Sequence, residues 1–311
     1  MGYPGLCFRA QGEVMSQPVS LVAGAAGFLG GHVVEGLIAR GHRVRALDLP
    51  GARFAANLGA VQGNPNLEVV ERNLMDIPAE DSFFAGIDYI FHCAGNPDHI
   101  ASMKQPEPFI QANVATVVRV LEAARHHGMK KVIYPSSAAV YGTAVPPTRE
   151  DHPINPDNPY ALTKWMGEEV CQHWSNFFKV PTLSFRVFNG YGPRSSGGPV
   201  NFFIRRKRNG ETLTVTGTGE QTRDFIYITD VVDAFIAGAH SDRSGEAYNL
   251  ATGIPQSVLQ LAQLVGGEIQ HVDPRPEPPV ILADVSKIKA HLGWEPKVSL
   301  AEGVALMMKQ A

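Results

Sequence analysis

Runs of consecutive apolar, often β-branched residues alternate through the first two thirds of the chain with stretches whose apolar positions recur at helical spacing. VSLVAG (19–24), RVRALDL (43–49), LEVVERNL (67–74), YIFHCAG (89–95), KVIYPSS (131–137) and TLSFRVFN (182–189) predict strands. Several are apolar at successive positions rather than alternating, as parallel strands are when helices cover both faces. Between them, GGHVVEGLIARG (30–41), NVATVVRVLEAARHHG (113–128) and PYALTKWMGEEVCQHWSNF (159–177) predict helices. Gly41 and Gly128 stand where helix C-caps belong. Alternation of this kind predicts an α/β fold built on a doubly wound parallel sheet.

Beyond about residue 190 the texture changes. GYGPRSSGGPV (190–200), TGTGEQTRDF (216–225) and DPRPEPPVI (273–281) are rich in Gly and Pro and separated by short helices. The expectation is a smaller, loop-rich domain from 190–223 and 253–311, after a first domain at 18–189. RDFIYITDVVDAFIAGA (223–239) and AYNLATG (247–253) read as strand–helix–strand material, so 224–252 is expected to return to the first domain. Residues 1–17 carry neither a basic start nor an apolar core. They read as a flexible extension, not a secretory signal.

Composition narrows the function classes. The 311 residues are 44% hydrophobic and 18% charged, with net charge −3, which gives no general attraction to nucleic acid or anionic lipid. No apolar run reaches the roughly 20 residues of a membrane span. Three widely separated cysteines (Cys7, Cys93, Cys171) suggest neither a disulfide framework nor a metal site, and a cytoplasmic protein is expected. RRKR (205–208) reads as a solvated helix face, and His92, His126 and His127 lack ligand spacing, so no nucleic acid, membrane or metal is expected.

Gly24, Gly27 and Gly30 lie between the first strand and the first helix. Alone, they fit a structural turn as well as a phosphate cradle. Two features add weight to the cradle. The helix N-terminus favours a pyrophosphate, and Asp48 ends the next strand at the spacing where a carboxylate accepts from an adenosine ribose. That carboxylate repels a 2′-phosphate, which favours NAD over NADP; Arg45 and Arg53 are the opposing candidates. Further on, YALTK sets Tyr160 and Lys164 four apart on one helix face. An ammonium beside a phenol stabilises the phenolate and makes it usable as a base near neutrality. PSSAAVYG (135–142) would place Ser137 at the carboxyl edge of the sheet, where such folds bind ligands, and leaves Ser136 as part of a turn.

Taken together and in this order, these residues resemble the extended short-chain dehydrogenase/reductases, and within them the nucleotide-sugar epimerases and dehydratases. NPYALTK (158–164), RVFNGYGPR (186–194), RDFIYITDVVDA (223–234), PRPEPP (274–279) and LGWEPKVSLAEGV (292–304) extend the resemblance over nearly all the chain from residue 18. It implies a Rossmann-type NAD domain and a C-terminal nucleotide-sugar domain. It also implies that Phe28 and Leu29 sit on the pyrophosphate, Asn73 and Leu74 flank the adenine, and Ala94, Gly95 and Asn113 lie along the cofactor. Phe188 would face the nicotinamide, Asn189 and Asn201 the sugar diphosphate, and Arg223 and Arg275 would clamp that diphosphate. Asn73 departs from a common aspartate, and Pro278 from a common acidic residue for which Glu277 would substitute.

The resemblance further implies that Tyr160, with Lys164 and Ser137, takes the proton of the sugar 4-hydroxyl. The step after that depends on neighbouring acids. Dehydratases that the chain resembles carry an Asp–Glu pair immediately after the position of Ser137, and decarboxylating relatives an acid; here Ala138 and Ala139 stand there. This points to a NAD-dependent UDP-sugar 4-epimerase (glucose/galactose or glucuronate type) working through a transient 4-keto sugar. Alternatives are a dehydratase or 4-keto reductase of the same family, or a non-catalytic nucleotide-sugar module. The helices at 113–128 and 159–177 are apolar on more than one face, which predicts a homodimer through a four-helix contact.

Overall fold

A computed structural model of the chain describes residues 17–309, so most of the expected N-terminal extension lies outside the described residues. Six strands follow the apolar runs: β1 Val19–Ala23, β2 Arg43–Asp48, β3 Leu67–Glu71, β4 Tyr89–His92, β5 Lys131–Ser137 and β6 Thr182–Val187. With the strand Glu246–Leu250 they form a seven-stranded sheet, in the order Glu246–Leu250, β6, β5, β4, β1, β2, β3. The pairings of β1 with β2 and β4, of β2 with β3, and of β4 with β5 are parallel. This is the doubly wound α/β sheet that the alternation of strand and helix patterns predicts.

Strand order reverses at β1. The chain steps outward from β1 to β3, then crosses back to put β4 on the other side of β1, opening a crevice at their carboxyl ends. Two strands end earlier than their apolar runs. Asn73 and Leu74 fall outside β3, because the Asn73 side chain caps a short turn at Leu74–Asp76. β4 stops at His92, freeing Cys93 to Gly95 to form a loop.

The chain divides into two compact units, the first comprising residues up to Ser136, Asn158–Ser184 and Phe235–Ala247. Its core runs through Leu21, Leu47, Ile90, Val120, Leu121, Val132 and Cys171, each no more than 1% exposed. Burying each such aliphatic side chain contributes roughly 1.5–3 kcal/mol. The helices Phe28–Ala39, Thr116–His127 and Pro159–Phe178 supply the apolar stripes opposite the sheet. The second unit comprises Ser137–Asp157, Phe185–Ala234 and Tyr248–Ala311. It is looser in secondary structure and is tied by buried carboxylates. Asp224 accepts from Thr252 N, Thr252 Oγ1 and Gly253 N, and Asp230 accepts from the backbone of Lys297 and Val298. Of the 223–253 segment, Glu246–Leu250 joins the central sheet, whereas Ile226–Tyr227 pairs with Gly190–Tyr191 in a separate ribbon.

At the amino edge of the sheet, His42 is 2% exposed and lies 2.8 Å from Ser20 Oγ through Nδ1. Burial, reinforced by the neighbouring His240, lowers its pKa to about 4. The unfolded chain, with histidine near 6.5, therefore binds protons before the folded protein does as pH falls. The contribution of His42 to stability is full above pH about 6.5 and declines towards pH about 4. Denaturant unfolding across that interval should show a loss that is smaller in His42→Gln, which retains hydrogen bonding but not the titration.

Candidate active site

The glycine loop is built by close approach. Gly24 has φ +82°, and a Cβ there would lie 2.5 Å from Ala94 N and 2.6 Å from the Cys93 carbonyl carbon. Gly30, in the helix Phe28–Ala39, would put a Cβ 2.1 Å from the Gly24 carbonyl oxygen. A side chain at Gly30 would thus push the helix off the turn that precedes it. Gly27 is the N-cap, its N–H donating to Gly24 O, and no side chain caps this helix end. No acidic residue stands in the first turn, so the field of the helix start at Phe28 and Leu29 is left positive.

Asp48 closes the other side of the loop. Its Oδ2 accepts from Ala26 N at 2.8 Å and its Oδ1 from Leu49 N at 2.8 Å. Each oxygen keeps a lone pair for a further donor. Arg45 is engaged elsewhere: its guanidinium pairs with Glu68 at 2.8 Å and stacks 4.9 Å over Phe83. Arg53 is exposed. Asn73 Oδ1 accepts from Met75 N, which occupies one of its two acceptor positions, and Leu74 is buried.

Asn113 is 2% exposed and connects the loop after β4 to the Pro159 helix. Its Oδ1 accepts from Asn96 N at 2.6 Å, while Nδ2 donates to Asn96 O and to Thr163 Oγ1. A Cβ on Gly95 would lie 2.8 Å from that Oδ1. The sequence pattern places Asn113 at the start of an α-helix. It sits instead in one π-helical turn, Gln111–Ala115, ahead of the α-helix Thr116–His127. Such turns carry an extra residue and redirect one side chain.

Asn158 caps the Pro159 helix by accepting from Ala161 N, with Pro159 at its first position. Tyr160 donates its N–H to Ser102 Oγ, and its carbonyl accepts from Thr163 Oγ1. Lys164, one turn on, donates from Nζ to Pro135 O at 2.8 Å, and the same Nζ lies 5.0 Å over the Tyr134 ring. Burial holds its pKa down to about 8. Burial also drives the pKa of Cys93 up to about 12 and that of His92 down to about 3, so both are neutral at pH 7.

Ser136 is not merely part of a turn. Its hydroxyl donates to the carboxylate of Glu168, both residues being 4% exposed. The sequence signal was an acid one turn after Lys164, inside the apolar stripe of a helix.

In the second unit Ser137, the last residue of β5, accepts from Ala139 N and caps the turn Ala138–Tyr141. Tyr141 donates to Asn249 Oδ1 at 2.6 Å and accepts from the Arg186 guanidinium at 2.8 Å. Sequence patterns give no hint of that brace, since its members are 45 or more residues apart. Phe188 is buried, Asn189 Nδ2 donates to Asp224 O, and Asn201 Nδ2 donates to Gly197 O. Arg223 is 7% exposed. Its guanidinium pairs with Glu277 and donates to Pro278 O at 3.0 Å, whereas Arg275 is exposed.

The sequence model of the NAD dependent epimerase/dehydratase family matches residues 20–251. The chain belongs to this family. It is 34% identical over 301 residues to a UDP-glucose 4-epimerase of Mycolicibacterium smegmatis, covering 92% of this chain and 96% of that protein. Relatives of other named activity also match. UDP-glucuronic acid decarboxylase 1 of Xenopus tropicalis is 31% identical, covering 91% of this chain and 70% of that protein. A dTDP-D-glucose 4,6-dehydratase of Bos taurus is 30% identical, covering 91% and 86%. Among solved structures, UDP-N-acetylglucosamine 4-epimerase from Methanobrevibacter ruminantium M1 superposes with TM-score 0.87 at 28% identity, covering 96% of this chain and 100% of that one. UDP-glucuronic acid 4-epimerase from Bacillus cereus, in complex with UDP-glucuronic acid and NAD, gives 0.85 at 27% identity, covering 94% and 98%.

Membership makes the protein an enzyme of a NAD-dependent family. The loop geometry fits NAD: glycines where a Cβ would collide, a helix start free of side-chain capping, and a carboxylate with acceptor capacity left.

Gly30→Ala should therefore remove NAD binding in calorimetric titration and lower stability by about 1–3 kcal/mol through the overpacked contact. A second expectation concerns Lys164. Its folded pKa of about 8 lies below the unfolded value near 10.4, so between these the unfolded chain binds more protons and stability rises with pH. Unfolding curves should show that rise in the wild type and a smaller one in Lys164→Met.

Proposed function

We propose that this protein is a NAD-dependent UDP-sugar 4-epimerase, an isomerase. The observation that carries the proposal is Ala138–Ala139. Directly after Ser137, in the turn Ala138–Tyr141, both side chains are methyl groups and neither can move a proton. Elimination across two carbons needs a positioned acid and base beyond the oxidation step, whereas inversion at one carbon needs proton transfer only at its oxygen. The 4-epimerases among the relatives and solved structures support the same reading.

In this proposal Gly24, Gly27, Phe28, Leu29 and Gly30 hold the NAD pyrophosphate, Asp48 the adenosine ribose, and Asn73 and Leu74 the adenine. Ala94, Gly95, Asn113 and Phe188 line the rest of the cofactor. When bound, NAD supplies a reversible hydride acceptor. Tyr160 takes the proton of the sugar 4-hydroxyl and returns it, Lys164 stabilises the phenolate with its ammonium, and Ser137 hydrogen-bonds the reacting oxygen. Asn189, Asn201, Arg223 and Arg275 bind the diphosphate. For Arg223 that role starts from a guanidinium already oriented by Glu277 and Pro278 O.

The proposal extends to a cytoplasmic homodimer. Cys93 and Cys171 are free thiols, which suits a reducing compartment. On the Pro159 helix Leu162, Phe177 and Phe178 are 47%, 70% and 47% exposed, an apolar excess that a helix of a second copy would cover.

Product NMR after incubation with UDP-glucose or UDP-glucuronate should show the corresponding 4-epimer with no net reduction of NAD. Accumulation of a 4-keto-6-deoxy sugar would sink the assignment. Tyr160→Phe should keep NAD bound and lose about 10²–10⁴-fold in kcat. Undiminished turnover would place the base elsewhere. Sedimentation at micromolar concentration should give a dimer.

A further inference from the structure

A buried polar layer lies under the Tyr160–Lys164 helix, and the proposed chemistry does not use it. Glu168 follows Lys164 by one turn on the same helix face and is 4% exposed. A carboxylate this deep is costly to hold unless it is hydrogen-bonded and opposed by charge. Ser136 Oγ supplies the hydrogen bond. Pro135, the residue before it on β5, takes the Lys164 ammonium on its carbonyl at 2.8 Å. Two neighbouring residues of one strand thus grip the amine and the carboxyl group of one helix.

The grip requires the helix to lie close to the strand, and Gly167 permits it. A Cβ there would sit 2.3 Å from the Tyr134 hydroxyl oxygen. The other groups facing Lys164 carry no compensating charge at pH 7. From β4 and the loop after it come His92 and Cys93, both neutral. From β5 comes Tyr134, whose phenol burial holds protonated. The same helix presents Cys171, kept as a thiol by burial. Burial lowers the Lys164 pKa and Cys93, Glu168 and Cys171 oppose it; of these three, the two thiols are neutral at pH 7 and Glu168 is the carboxyl group.

We infer that Glu168, held by Ser136, is the counter-charge that keeps the Lys164 ammonium protonated at neutral pH. It is a positioning residue, acting on proton transfer through Lys164 and touching neither substrate nor cofactor. Its link to turnover rests on the proposed roles of Tyr160 and Lys164, whereas its effect on Lys164 ionisation does not. Removing the carboxylate charge leaves burial less opposed, so the ammonium loses its proton at lower pH.

Competitive acetylation with acetic anhydride reads this directly, because only the neutral amine reacts. The extent of labelling at Lys164, followed by peptide mass spectrometry from about pH 6 to about pH 10, gives its midpoint in the enzyme as purified. Glu168→Gln should lower the midpoint by about one pH unit, and Ser136→Ala should lower it by less. The alkaline limb of kcat should move in the same order while KM for the sugar nucleotide stays constant. If Glu168→Gln does not fold, Ser136→Ala decides alone. Midpoints equal to wild type overturn the inference, even if kcat falls. A wild type that converts no sugar nucleotide, with variants whose Lys164 midpoint falls, overturns the proposed function and supports this inference.

Discussion

The end of β1 meets the loop leaving β4 with no space for a side chain, and the shape of the glycine loop depends on that contact. Gly24 adopts a left-handed conformation against Cys93 and Ala94, and its own carbonyl then fills the space where a side chain at Gly30 would lie. That carbonyl sits against the start of the helix Phe28–Ala39. Asp48 then accepts from the loop amide of Ala26 and ties the end of β2 to the same loop. A protein interior close-packed at this density transmits a single methyl group as a displacement of the whole element.

A second constraint is electrostatic. The fold buries the amine of Lys164 far enough to lower its pKa to about 8, a cost in folding free energy at neutral pH. Around it the structure is over-determined. Asn113 joins the β4 loop to Thr163, Thr163 donates to Tyr160 O, and Ser102 receives the Tyr160 N–H. Strain and unfavourable charge persist where the surroundings leave no alternative arrangement. The same rigidity holds the phenol and the ammonium in one register on the helix.

What the turn Ala138–Tyr141 lacks is as informative as what it holds. Tyr141, Arg186 and Asn249 fix it firmly through buried hydrogen bonds, yet its two leading residues are inert methyl groups. A rigid turn carrying no acid limits proton transfer to residues outside it.

Local chemistry in the sequence was enough to predict the alternating strands and helices, the glycine loop with Asp48, and the four-residue spacing of Tyr160 and Lys164. Each is set by neighbours along the chain: side-chain period, backbone freedom and helix geometry. Other features needed the folded chain. Ser136 reads as a turn residue until β5 lies beside a helix whose Glu168 is 32 positions away. Arg45 stands against Asp48 only as a candidate for a 2′-phosphate, and its guanidinium is taken by Glu68 and Phe83. Asn113 is singled out by the family resemblance, but its bonds to Asn96 and Thr163 and its place in a π turn are seen only in the folded chain. From sequence the whole of 224–252 is expected to return to the first domain; Glu246–Leu250 joins the sheet and Ile226–Tyr227 pairs elsewhere, because a short apolar run does not specify its partner. The sequence determined which residues carry donors, acceptors and charge; tertiary packing decided which of them meet, since such pairs close only when strands, helices and loops far apart along the chain pack together.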